Sequence, residues 1–276
     1  MTLTMQPTHV VAVGVADIRR EPDPTSELVT QALMNFPAIA NQSDGEWTQV
    51  TLSDYEGWIR TDQLAEPIAS QSPVVAVIVA THAPLYTASE EDETYGMVYL
   101  SSALPVLDTT LQSLRVQVAL PGGRVAWLLR NAIDIRQSDA IYPLQLVQIV
   151  TTFARSFLGR PYLWGGTSWE GLDCSGFVQL CYRMGGFIIP RDANQQHDAL
   201  SHSVKREEMQ EGDLIFFGSE RITHVGMALD ERQYIHSEGQ NYNGVVINSF
   251  DRSDAHYHPR LDEIVWGIKR VAVLEP

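Results

Sequence analysis

The sequence predicts an α+β protein in three parts. Two small all-β barrels come first, and a larger domain follows in which helices precede a series of antiparallel strands. Three observations predict this. Short apolar runs broken by turn residues fill the first half of the chain. Two helical periodicities open the second half. A row of strand-like runs closes it. The 276 residues are enough for such a division, and the boundaries fall at 1–70, 71–138 and 139–276.

In the first part the apolar runs Val10–Val15, Ala32–Ile39, Trp47–Leu52 and Gly57–Arg60 alternate with Pro22, Pro24, Asn41 and Gly45. The stretch Gly45-Glu46-Trp47-Thr48-Gln49-Val50, then Asp54-Tyr55-Glu56-Gly57-Trp58-Ile59, resembles a hairpin of a bacterial SH3-like domain. Pro67 to Pro73 reads as a linker. The second part repeats the style with Val75–Val79, Met97–Tyr99, Leu104–Val106, Leu114–Val118 and Val125–Leu129. Its Arg124-Val125-Ala126-Trp127-Leu128 echoes Tyr55-Glu56-Gly57-Trp58-Ile59, so a second, more divergent SH3-like barrel is expected. Glu90-Glu91-Asp92-Glu93 reads as a solvated acidic loop.

The third part opens with Leu144, Val147, Ile149, Val150, Phe153 and Phe157 at helical spacing over Pro143–Leu158, with Gly159 as the stop. A second helix starts at Asp173 or Cys174 and ends at Gly185-Gly186. Asp213–Phe217, Thr223–Leu229, Gln233–Ser237, Val245–Phe250 and Val265–Val271 are the strand candidates.

A formal charge of −15 argues against nucleic acid and anionic membranes as partners, because phosphate binding needs clustered Lys and Arg. No apolar run approaches 18 residues, so no membrane insertion is expected. Met1 to Val15 has no basic start, long apolar core or small-residue cleavage site, and a cytoplasmic enzyme is expected. Zinc spacing is absent, so neither metal nor cofactor is expected. A monomer is expected as well. The two cysteines, Cys174 and Cys181, lie about 10 Å apart along one predicted helix. A disulfide needs Cα atoms within about 7 Å, so Cys174 reads as a free thiol.

A cysteine at a helix N-terminus faces the positive end of the helix dipole, which lowers its pKa. His224 and His236 flank the short turn Asp230-Glu231-Arg232 between two strand candidates. Their rings can therefore lie side by side, one as base and the other orienting it. His9, His82, His197, His202, His256 and His258 lack such context and read as non-catalytic.

Five motifs now stand in order: Pro161-Tyr162-Leu163-Trp164-Gly165-Gly166, Asp173-Cys174-Ser175-Gly176-Phe177, Pro190-Arg191-Asp192-Ala193, Gly212-Asp213-Leu214-Ile215-Phe216-Phe217 and His224-Val225-Gly226. Together they resemble the NlpC-type cysteine peptidases. The resemblance implies a papain-like fold and cleavage of peptidoglycan peptides. It implies Cys174 as nucleophile, His224 as general base, His236 as orienting residue and Tyr162 as donor to the oxyanion. Asp173 is an N-cap and also a candidate for the substrate amine. Ser175 caps the helix or meets a substrate carboxylate, and Trp164 joins the substrate-binding set. Arg191 and Asp192 hold the site by ion pairing.

Two SH3-like barrels ahead of such a domain resemble the YkfC-type γ-D-glutamyl-L-diamino acid endopeptidases. There the first barrel selects a free N-terminal L-Ala; the matching positions are Glu21 and Tyr55. Ala193 departs from the pattern, since relatives can carry a serine there that contacts D-Glu. The expected function is hydrolysis of the γ-D-Glu–diamino acid bond of murein stem peptides during recycling. An exported hydrolase of intact wall and a non-catalytic wall-peptide-binding protein are the alternatives.

Overall fold

A computed structural model of the chain describes residues 6–70, 72–108 and 113–271. Residues 1–5 of the amino-terminal reading and residue 71 of the expected linker therefore lie outside the described residues. The chain divides into two compact units, Met1–Ile141 and Tyr142–Pro276.

The first unit holds two antiparallel sheets. Strands β1 (His9–Val11), β2 (Val15–Arg19), β3 (Leu28–Leu33), β4 (Pro37–Asp44), β5 (Trp47–Thr51), β6 (Glu56–Arg60) and β7 (Leu64–Ala65) pair in the order β3-β2-β6-β5-β4-β1-β7. Strands β8 (Val74–Ile78), β9 (His82–Tyr86), β10 (Thr94–Tyr99), β11 (Ala103–Asp108), β12 (Arg115–Ala119), β13 (Val125–Leu129) and β14 (Ile133–Gln137) pair as β10-β9-β13-β12-β11-β8-β14. The two orders are the same, strand for strand. Even the bridging tryptophans correspond: Trp58 on β6 faces Arg19 on β2, and Trp127 on β13 faces Tyr86 on β9.

Alternation builds both cores. In β2, Ala16 and Ile18 point inward with no exposure; in β13, Ala126 and Leu128 do the same. The runs expected over Val10–Val15 and Ala32–Ile39 are each split in two. The first breaks at Gly14, where a Cβ would lie 2.3 Å from the Met97 carbonyl oxygen. The second breaks at Asn35, whose φ of 65° no strand can hold. Asn35 also donates from Nδ2 to the Ala103 carbonyl at 2.8 Å, and Met34 enters the second core, so this turn joins the two sheets. Strands β9 and β14 were not expected. The sequence of β14 alternates Ile133-Asp134-Ile135-Arg136 over a few residues, and only Ile133 is buried.

The second unit contains α1 (Val147–Ser156), a short hairpin of β15 (Thr167–Ser168) and β16 (Gly171–Leu172), α2 (Cys174–Met184) and α3 (Ala193–Ala199). Strands β17 (His202–Val204), β18 (Leu214–Phe217), β19 (His224–Ala228), β20 (Gln233–Glu238), β21 (Gly244–Ser249) and β22 (Val265–Arg270) form an antiparallel sheet in the order β17-β22-β18-β19-β20-β21, with α4 (Pro259–Glu263) before the last strand. Helix α2 lies against α1, β19 and β20 and is buried almost all round. Helix α1 starts later than its periodicity implies, because Gln145 N–H donates to the Gly185 carbonyl and holds the preceding segment extended. Helix α3 buries only Gln196 and so leaves no apolar stripe to read.

Candidate active site

Cys174 is the first helical residue of α2, and Asp173 is its N-cap. The Asp173 Oδ1 accepts from Gly176 N–H at 2.7 Å, which satisfies one of the orphan donors of a helix start. Oδ2 accepts from Gly165 N–H at 2.9 Å. The Arg191 guanidinium closes a two-pronged pair, 3.0 Å to Oδ1 and 2.6 Å to Oδ2, and also donates to Ser175 Oγ at 3.0 Å. Arg191 is only 2% exposed. Such a buried pair is held by complementary geometry, and removing either partner strands a charge. Gly176 is required here: a Cβ would stand 2.4 Å from the Gly166 carbonyl oxygen. The helix start is thereby locked against the 165–167 turn.

His224 opens β19 opposite Phe217 of β18, and His236 lies on β20 opposite Val246 of β21. Their rings meet edge to face, with His224 Nε2 2.8 Å from His236 Nδ1. The other ring nitrogen, His236 Nε2, is 2.8 Å from Asn248 Oδ1 on β21. Asn248 donates from Nδ2 to the Tyr242 hydroxyl at 3.2 Å and to the His256 carbonyl at 3.0 Å. The Val225 backbone N–H, next to His224, donates to the Cys174 sulfur, which ties the head of α2 to β19. The same sulfur accepts from the Ser175 N–H.

Burial dominates the electrostatics. It pushes the Cys174 thiol up to about 12, with Asp173 adding to the rise, against the Val225 and Ser175 N–H groups and Arg191. Burial holds His224 well below its usual value, helped by His236 and His258, and brings His236 down to about 4. The expected fall in the thiol pKa at a helix N-terminus is therefore reversed: desolvation outweighs the dipole. Burial thus favours the uncharged forms of both the Cys174 thiol and the His224 imidazole.

Tyr162 lies beside this pair. Its phenol is pushed upward by burial, then by Cys174 and Asp173, so it stays protonated and able to donate. The Tyr162 N–H donates to the Asn243 carbonyl at 3.1 Å, and its ring lies over Gly239, where a Cβ would stand 2.8 Å from two ring carbons. Glu238 accepts from the Gln240, Asn241 and Tyr242 N–H groups and so shapes the loop under that ring.

The NlpC/P60 family model matches residues 159–262, and a bacterial dipeptidyl-peptidase Sh3 domain matches residues 18–64. The γ-D-glutamyl-L-lysine dipeptidyl-peptidase of Bacillus cereus is 32% identical over 229 residues, 77% of this chain and 68% of that one. The chain belongs to the NlpC/P60 family of cysteine peptidases. The Bacillus subtilis protein of the same name is 33% identical over 75% of this chain and 71% of its own. A solved NlpC/P60 family protein from Bacillus cereus superposes with a TM-score of 0.84 at 25% identity, covering 95% of this chain and 99% of that one.

Among the residues singled out from sequence, this peptidase unit brings together Cys174, His224, His236, Tyr162, Asp173 and Ser175. Trp164 is 61% exposed on the turn before β15. Glu21 and Tyr55 belong to the first sheet. Glu21 is exposed in the β2–β3 loop, where its backbone bonds Ser26 and Asp23. Tyr55 is half-buried against the first core, and Arg20 feels both it and Glu21. Sequence reasoning missed Asn248, Glu238 and the pairing of Arg191 with Asp173. A polar residue inside the apolar run Val245–Phe250 was the available signal for Asn248. The described residues contain no group of three or more His, Cys, Asp or Glu able to hold a metal ion, and no helix among them is long and apolar enough to cross a membrane.

Proposed function

We propose that this peptidase hydrolyses the γ-D-Glu–diamino acid bond of murein stem peptides that begin with a free L-Ala, as a step of cytoplasmic peptide recycling. The observation that carries the reading is an exposed Glu21 carboxylate on the Sh3 domain of a chain whose peptidase unit ties the Cys174 sulfur to the Val225 N–H, next to the bonded pair of His224 and His236. The names of the two Bacillus relatives support the same bond type. In this reading the second sheet, with its identical strand order, is a second SH3-like barrel, the three domains span 1–70, 71–138 and 139–276, and the peptidase domain is papain-like. The enzyme works as a monomer.

Cys174 Sγ attacks the γ-carbonyl carbon while its proton passes to His224. The carbonyl oxygen becomes an oxyanion, stabilised by the Tyr162 hydroxyl and N–H groups at the start of α2. The amide C–N bond then breaks, and His224 returns the proton to the leaving amine. Water, deprotonated by His224, attacks the thioester carbon; the C–S bond breaks, His224 returns the proton to Cys174 Sγ, and L-Ala-γ-D-Glu leaves. Ser175, Asp173 and Trp164 line the substrate path, and Ser175 with backbone N–H groups carries D-Glu recognition in place of the serine that Ala193 replaces. The test is mass spectrometry of digests of the free tripeptide beside the same peptide linked to disaccharide. The free tripeptide should yield L-Ala-γ-D-Glu and free diamino acid. Equal cleavage of both substrates would overturn the recycling assignment in favour of wall lysis.

A further inference from the structure

We propose that Asn248 is a positioning residue that sets the direction of every proton in the histidine chain and so makes His224 Nδ1 the basic atom. The proposal rests on reading Cys174 and His224 as nucleophile and base. It starts at a group that cannot change its role. The His256 carbonyl oxygen only accepts, and it is fixed by Ser249 N–H at 2.9 Å as well as by Asn248. The Asn248 group facing it at 3.0 Å must therefore be the NH2. Turning the amide over would set two acceptor oxygens against each other. That leaves Oδ1 facing His236 Nε2 at 2.8 Å, so this nitrogen carries a hydrogen.

A neutral imidazole has one N–H, so His236 Nδ1 presents a lone pair. It can only accept from His224 Nε2 at 2.8 Å. His224 therefore holds its hydrogen on Nε2, and its lone pair is on Nδ1. When Nδ1 takes the thiol proton, the Nε2–H bond to His236 becomes charge-assisted and strengthens. Asn248 is 1% exposed and His236 is fully buried, so water does not offer a competing acceptor. Besides His224, the titratable neighbours of His236 include Glu238 and Tyr234 on β20 and His258 before α4. A second support comes from Tyr242: its hydroxyl accepts from the same NH2, and its backbone is held by Glu238.

Two readouts that need no peptide test this, so their failure is distinct from failure of the substrate assignment. Long-range 1H–15N spectra at about pH 8 report the imidazole tautomers. Mass spectrometry reports the rate at which iodoacetamide alkylates Cys174. In the native protein His236 should be the Nε2–H tautomer. Asn248→Leu should destroy that single tautomer and slow alkylation at least about tenfold, since a wrong tautomer withholds the base. Asn248→Asp keeps an acceptor for His236 Nε2 but sets its second oxygen against the His256 carbonyl, so it should keep the hydrogen on His236 Nε2 while lowering the denaturation midpoint. An Nδ1–H tautomer of His236 in the native protein overturns the proposal, even if the leucine variant fails to fold. So does an Asn248→Leu protein with native tautomer and native alkylation rate.

Discussion

Asp173 and Glu21 are both carboxylates considered for the same substrate amine, and their surroundings are opposite. Asp173 is buried and accepts from Gly165, Ser175, Gly176 and Arg191. Its charge is already matched by a guanidinium. Glu21 lies on an exposed loop whose hydrogen bonds run through its backbone. A carboxylate surrounded by donors organises the protein; one left open to solvent is available to a ligand. The same contrast separates the two regions at large. The peptidase unit buries the polar groups around Cys174 and the two histidines and hydrogen-bonds them to one another, where charge is costly and position is fixed. The first sheet repeats the strand order of the second and differs in its loops, where binding specificity usually lies.

The largest effect that should separate the regions is on turnover. Cys174→Ala should lower peptide cleavage by about four orders of magnitude or more, with the melting transition retained. Iodoacetamide should label Cys174 ahead of Cys181, which has no exposure. Residual cleavage near the native rate in Cys174→Ala would remove the nucleophile from this site altogether.

The next effect is on stability. Asp173→Ala removes the N-cap of α2 and strands Arg191, a loss of about 3–5 kcal/mol. Glu21→Ala should stay within about 0.5 kcal/mol of the native chain, as exposed substitutions do. Urea denaturation of the three proteins at one pH measures both. An Asp173→Ala protein as stable as the native one would break the comparison at its base.

Acid should destabilise the peptidase unit through its buried histidines. His236 has a folded pKa of about 4 against an ordinary value of 6.5. Between those values the unfolded chain holds a proton that the folded chain refuses, so stability is complete above 6.5 and is lost as pH falls toward 4. The full span is worth about 3 kcal/mol. His224, also lowered, adds in the same direction. Denaturation midpoints that are flat from neutral pH to pH 4 in the native chain, or that fall as steeply in His236→Gln, would place the acid lability elsewhere.

Much of this site was legible because its signals are local. The helix start at Asp173-Cys174 is a cap followed by an apolar run, and it appears where expected. His224 and His236 flank one short turn, so their proximity follows from a hairpin. Asn248 depends on a third strand and on the register that sets His236 opposite Val246; no spacing in the sequence contains that. The Arg191–Asp173 pair joins residues 18 apart across a helix, and the strand β14 is short, with a single buried residue, Ile133. The thiol's raised pKa was missed for a different reason. A helix N-terminus is visible in sequence, whereas the burial that outweighs it exists only once α2, β19 and β20 pack.

The smallest of these effects is also the most specific, and it concerns Glu21 alone. An ammonium group held by a carboxylate makes charge-assisted hydrogen bonds, and N-acetylation removes the charge and adds bulk. Free L-Ala-γ-D-Glu-diamino acid should therefore be cut faster than its N-acetylated form by about 30-fold or more, equivalent to about 2 kcal/mol or more. If Glu21 supplies that discrimination, Glu21→Ala should slow the free-amine substrate by about 10- to 100-fold in kcat/KM and leave the acetylated one nearly unchanged. Glu21→Gln should behave like Glu21→Ala, because an amide fills the space without the charge. The loss should appear mainly in KM, since the amine is remote from the bond that breaks and Cys174, His224 and His236 are untouched. Native discrimination retained in both variants would return amine recognition to the peptidase unit and remove the functional difference between the two carboxylates. A parallel loss on both substrates would instead make Glu21 a support of the loop Arg20–Glu27, whose ion pair joins Arg20 Nε to Glu27 at 2.7 Å.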